Sequence, residues 1–117
     1  MLLIVDDNKQ VRRMIRSLVE DLNGEIAECS DGAEAVDFCQ ERQPDLVLMD
    51  VQMKPMDGLT ATRKIKSFFP KTKIVIVTDH ADAKTRAAAI EAGADEFFGK
   101  EDLIGLRKIV GAGKEGH

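Results

Sequence analysis

Three carboxylates, one hydroxyl and one ammonium stand out by their places in the chain: Asp6 with Asp7, Asp50, Thr78, and Lys100 just after Gly99; a fourth carboxylate, Asp79, follows Thr78. Each follows or closes a short apolar run. Brought to one place, three carboxylates repel and push one another's pKa upward unless a cation neutralises them. An all-oxygen donor set favours magnesium, or manganese in its place, over zinc, and magnesium keeps several waters and accepts a phosphate oxygen. The set therefore suits a phosphoryl group. Lys100 offers positive charge to its oxygens, Thr78 offers a hydroxyl, and a carboxylate is a nucleophile able to form an acyl phosphate. Asp50 is the carboxylate best flanked by the others.

Short strands must hold these groups. Leu2-Leu3-Ile4-Val5, Leu46-Val47-Leu48-Met49 and Ile74-Val75-Ile76-Val77 are continuous apolar runs, as expected of strands covered on both faces. Val11, Met14, Ile15, Leu18, Val19 and Leu22 recur at helical spacing, with Arg12, Arg13, Arg16 and Glu20 opposite and Asn23-Gly24 closing the helix. Glu25 to Cys29 mixes charge with apolar residues, the pattern of an edge strand. Asp31 and Glu34 open a second helix, with Val36 and Cys39 inward and an end before Pro44. Asp57 caps a third, whose stripe of Leu59, Thr62, Ile65 and Phe69 stops at Pro70. Alanine-rich Asp82 to Ala92 gives a fourth, with Ile90 inward and Gly93 as left-handed cap. Phe97-Phe98 is the core of a fifth strand, and Asp102 opens a last helix that buries Leu103, Leu106, Ile109 and Val110.

Five strands alternating with five helices predict an α/β fold: a doubly wound, five-stranded parallel sheet of order 2-1-3-4-5, flavodoxin-like, with helices on both faces. In such a sheet the ligand crevice lies beyond the carboxyl ends of the strands, where the acids, Thr78 and Lys100 all fall. One domain is expected over residues 1–110, and Gly111 to His117 lacks periodicity and should form a fraying tail.

Composition excludes several functions. The 117 residues carry 17 Lys and Arg against 21 Asp and Glu, a net charge of -4, which offers no basic field for nucleic acid or an anionic membrane. Its five Phe are joined by no Trp or Tyr, removing the usual base-stacking platforms. Met1 to Val5 is too short an apolar run to span a bilayer. Cys29 and Cys39 lack metal-ligand spacing and read as small buried hydrophobes, and His80 and His117 are too few for a zinc site. Arg63, Lys64, Lys66, Lys71 and Lys73 read as a solvated helix face. A cytoplasmic protein is expected.

Asp6-Asp7, Met49-Asp50, the Met56-Asp57-Gly58 turn, Thr78 and Lys100 together resemble the response-regulator receiver domains of two-component signalling, of the chemotaxis-regulator kind. The resemblance covers Leu2 to about Val110. It implies that Asp50 is the phosphoacceptor, that Asp7 and Asp50 bind Mg2+ directly with the carbonyl of Gln52, and that Asp6 holds the ion through water. Thr78 and Lys100 would contact the phosphoryl group. A histidine kinase or phosphotransfer protein would be the donor. Movement of Thr78, coupled to Phe97, would change the face of the fourth helix, fifth strand and fifth helix and so control partner binding, by a monomer or a phosphorylation-dependent dimer. The protein would catalyse only its own phosphorylation and dephosphorylation.

Four positions depart from the family pattern. Pro55 follows Met53-Lys54 rather than Met53, which shifts the proline and adds a charge. Asp79 stands where a small residue is usual. Gln52 and His80 occupy the positions that tune acyl-phosphate lifetime. Glu101, not proline, follows Lys100.

Other readings use the same residues. Each Asp alone could simply cap the following helix. A magnesium-dependent phosphatase with an aspartyl nucleophile would usually carry a second acid two residues on, where Gln52 stands. A flavin carrier would need phosphate-binding donors where Asp6-Asp7-Asn8 presents acid. A pseudo-receiver would bind partners without phosphorylation. With no output domain in this sequence, the chain is either free-standing or part of a longer regulator with a covalently linked output domain.

Overall fold

The three apolar runs form the middle of the sheet because side chains on both sides of each strand find a helix to pack against. In the computed structural model, which describes residues 1–22 and 24–115, the elements are β1 (Leu2–Val5), α1 (Lys9–Val19), a 3-10 turn (Glu20–Leu22), β2 (Ile26–Cys29), α2 (Gly32–Arg42), β3 (Leu46–Met49), α3 (Gly58–Phe68), β4 (Lys73–Thr78), α4 (Ala83–Ala92), β5 (Glu96–Gly99) and α5 (Leu103–Glu115). The strands pair in parallel in the order β2-β1-β3-β4-β5, as the sequence predicts.

Alternate residues of each strand divide the core in two. Leu3, Val5, Val47, Met49, Ile74 and Ile76 meet Ala35, Cys39, Ala61, Ile65 and Ala89 from α2, α3 and α4. Leu2, Ile4, Leu46, Leu48, Val75 and Val77 meet Ile15, Val19, Leu106 and Val110 from α1 and α5. Each large apolar side chain among them contributes about 1.5–3 kcal/mol on burial. Cys29 and Cys39 are free and buried, and burial pushes their thiols up to about 12 and about 11, so both stay protonated and inert at neutral pH.

The helix starts are set by side-chain caps. Asn8 Oδ1 accepts from Gln10 N and Val11 N, Asp31 from Glu34 N, Asp57 from Thr60 N, and Asp82 from Thr85 N. Glu34 reaches back to Ser30 N, one residue before the cap. Gly93 ends α4 at φ +103°, the left-handed conformation glycine adopts without a Cβ penalty.

Four expectations need correction. Ile90 is 62% exposed. Ala89 and Ala92 fill the buried side of α4, and Ile90 lies roughly 130° round the helix from the centre of that side. Met14, expected inward, is 40% exposed, because Ile15 and Val19 carry the contact of α1 with the sheet. Leu103 is 37% exposed, since α5 begins at the carboxyl edge of the sheet, beyond the core. Arg12 and Arg16 are not a free solvated face but both bind Glu28. Beyond these, α5 runs on to Glu115, past the point where the apolar periodicity stops. Extending a formed helix is far cheaper than starting one, and Ala112, Lys114 and Glu115 are good helix formers. Gly116 and His117 lie outside the described residues, as does Asn23 of the expected Asn23-Gly24 helix end; Gly24 has φ +96°.

Candidate functional site

The ladder of the sheet continues one residue past its strands and so fixes the site. Asp6 N donates to Cys29 O at 3.2 Å, Asp50 N to Val5 O at 2.9 Å, and Lys100 N to Thr78 O at 2.9 Å. Asp6, Asp50 and Lys100 are thereby anchored as backbone extensions of β1, β3 and β5, and Thr78 is the last residue of β4. All stand at the carboxyl edge, where the sequence places the crevice.

Asp50 has almost no freedom to retreat. Gly58 opens α3 directly beside it: a Cβ there would fall 1.8 Å from Asp50 O, so only glycine lets α3 come this close. Gly58 N also donates to Val51 O at 2.8 Å, which closes the loop carrying Gln52, Met53 and the cis Lys54–Pro55 peptide.

Asp6, Asp7 and Asp50 each bring a carboxylate oxygen within 4.8 Å of the others. Asp6 is 1% and Asp50 6% exposed, whereas Asp7 faces solvent. Lys100 Nζ reaches into the group, 2.8 Å from Asp6, 3.4 Å from Asp50 and 3.5 Å from Asp79. Burial disfavours its charge, but the hydrogen bond to Asp6 and the charges of Asp50, Asp6 and Asp79 outweigh that and raise its pKa, keeping it an ammonium. That single cation does not satisfy Asp50. Burial first, and then the charge of Asp6, push the Asp50 carboxyl up to about 6 against the opposing pull of Lys100. An acidic group so short of positive charge, with only hard oxygen donors, fits a magnesium-sized divalent cation.

Thr78 is buried, and its Oγ1 accepts from His80 N at 3.1 Å, which leaves its O–H free to donate. Gln52 is exposed on the loop after β3. Phe97 is 8% exposed in β5, with the Arg86 guanidinium 5.0 Å above its ring.

The structure gives further residues contacts that the residue pattern does not reveal. Asn8 N donates to Asp6 Oδ1 at 2.8 Å, so the cap of α1 also holds the first acid. Arg12 Nη1 donates to Asp6 O at 2.6 Å, and Asp79 is a partner of Lys100 as well as a neighbouring charge. Arg12 and Arg16 lie one helical turn apart, so the spacing places two guanidinium groups on one side of α1 but does not show that this side faces Glu28. Among the described residues, no helix is long and apolar enough to cross a membrane.

A 2-1-3-4-5 parallel sheet with buried acids on β1 and β3, a hydroxyl on β4 and a lysine on β5 at one edge defines a receiver-type signalling domain. The response regulator receiver domain model matches residues 2–110, and the chain belongs to that family. Among curated relatives, Protein CcdB of Bacillus subtilis is 40% identical over 99 residues, covering 84% of this chain and 82% of that protein. Response regulator UvrY of Escherichia coli K12 is 39% identical over 100 residues, covering 84% of this chain but 46% of UvrY, so the chain spans about half of that relative's length. The receiver domain of NtrX from Brucella abortus superposes with a TM-score of 0.88 at 26% identity, covering all of both chains.

Proposed function

We propose that this domain is a phosphorylation-controlled switch that accepts a phosphoryl group onto Asp50 from a histidine kinase or phosphotransfer protein. The observation that carries the reading is Asp50 itself, a buried carboxylate pressed between Asp6 and Lys100 with its pKa raised to about 6. At neutral pH it is mostly ionised, and poor solvation leaves it a ready nucleophile.

Asp6, Asp7 and Asp50, with the Gln52 carbonyl, would hold Mg2+, which when bound neutralises the acids and takes up charge on the phosphoryl oxygens. An Asp50 oxygen attacks phosphorus, the phosphorus–nitrogen bond of the donor histidine breaks, and an acyl phosphate forms on the chain. Lys100 turns from the carboxylates to a phosphoryl oxygen, and the Thr78 O–H donates to another. Drawing Thr78 toward the phosphoryl group alters packing beside Phe97 and so the α4, β5 and α5 face, which then selects an output partner or linked output domain. Phe97 has no hydroxyl, so its part is packing alone.

Asp79 favours a second reading. A further carboxylate on Lys100 competes with any incoming anion, as in a receiver that binds partners without phosphorylation. Incubation with a phosphorylated histidine kinase distinguishes the two. A transferred label that is lost in hydroxylamine and absent from Asp50→Asn supports the switch; no transfer from any donor supports the phosphate-independent reading.

A further inference from the structure

Arg12 is a partly buried guanidinium, 15% exposed, with no place in the chemistry above. Its Nη1 donates at 2.6 Å to the carbonyl of Asp6, the peptide group that joins Asp6 to Asp7. Its Nε donates at 2.9 Å to Glu28 Oε1. Glu28 lies on β2 opposite Ile4, facing α1, and its other oxygen accepts from Arg16 Nε at 2.7 Å. Arg16 in turn donates to Ile26 O. The hydrogen bond from Arg16 and then the one from Arg12 hold the Glu28 carboxyl below its usual range, outweighing its burial.

We infer that Arg12, braced by Glu28, is a positioning residue for divalent-cation binding: it fixes the plane of the Asp6–Asp7 peptide and thereby the direction in which the Asp7 carboxylate leaves the chain. Asp6 has independent holds, through Asn8 N and Lys100 on its carboxylate and Cys29 O on its amide. Asp7 is exposed, and the orientation of the peptide before it is what aims it at Asp6 and Asp50. A planar guanidinium serves both the carbonyl and Glu28 at once, which a lysine ammonium at the same place would do without fixed geometry.

The inference rests on the reading of Asp6, Asp7 and Asp50 as a magnesium site, and calorimetric titration with MgCl2 tests both without reference to phosphorylation. Arg12→Met, which keeps the stem and loses the fork, and Glu28→Gln should each weaken Mg2+ binding about tenfold, with Arg12→Lys recovering only part of the loss. Arg16→Gln breaks the other arm of Glu28 but not the bond to Asp6 O, and should change Mg2+ affinity by less than about twofold even where it lowers the melting temperature. Wild-type affinity in Arg12→Met, or an equal loss in Arg16→Gln, would overturn the role of Arg12 while leaving the metal site standing. If wild-type protein takes up no Mg2+ and matches Asp7→Ala, the metal site fails and the inference with it.

Discussion

The Lys100 ammonium lies 2.8 Å from Asp6 Oδ2, closer than to any other carboxylate it touches. The cation of β5 is thus committed first to the acid of β1. Asp50, between them in the sheet, is left to titrate late.

That arrangement has a thermodynamic signature in EDTA. Asp50 is raised to about 6 by burial and then by Asp6, so in mild acid the folded protein keeps a proton that the unfolded chain releases. This contribution to stability is complete below about pH 4 and is lost as pH rises through about 6. Asp50→Asn, which cannot ionise, should therefore be the more stable protein near pH 7.5 by up to about 3 kcal/mol and lose that advantage toward pH 4. Urea unfolding followed by circular dichroism across the pH range checks this, and a difference independent of pH would contradict it.

Lys100→Ala leaves Asp6 and Asp50 facing each other without their cation. In EDTA it should lower stability by roughly 1–3 kcal/mol, less than a fully enclosed pair would lose because the site opens to solvent at Asp7. MgCl2 should restore much of that loss, since a bound cation stabilises the folded state by mass action. Thermal melts with and without Mg2+ read both effects. Phosphorylation should remain partly possible in this variant while its coupling to partner binding is lost.

Gly58→Ala tests the close approach of α3. The added Cβ would meet the Asp50 backbone oxygen at 1.8 Å, and because Cβ is fixed to the backbone no side-chain rotation relieves the clash. A loss of about 2–4 kcal/mol is expected, measured by urea denaturation, although alanine is the better helix former elsewhere. A neutral result would mean that the loop beside Asp50 yields easily.

Much of this was legible in the sequence, and the reasons are specific. Leu46 to Met49 and Ile74 to Val77 read as buried strands because a short run that is apolar at every position suits a strand covered on both faces. Asp50, Thr78 and Lys100 followed because a parallel sheet gathers its strand ends at one edge. Ile90 misled because the contact face of α4 consists of Ala89 and Ala92, whose small side chains leave no stripe to detect. The pairing of Arg12 with Glu28 was hidden because it depends on strand register, Ile4 beside Glu28, which neither segment reveals alone. The run through Gly111 to Glu115 lacked periodicity yet continued a helix already formed.

Phosphorylation of Asp50 is read directly by intact-mass analysis after incubation with acetyl phosphate, with and without Mg2+, on wild-type protein and Asp50→Asn. The expected result is the gain of one phosphoryl group, dependent on Mg2+ and absent from Asp50→Asn. Phosphorylation of Asp50→Asn, or its persistence in wild-type protein stripped of Mg2+, would contradict the assignment of Asp50 and of the acids around it.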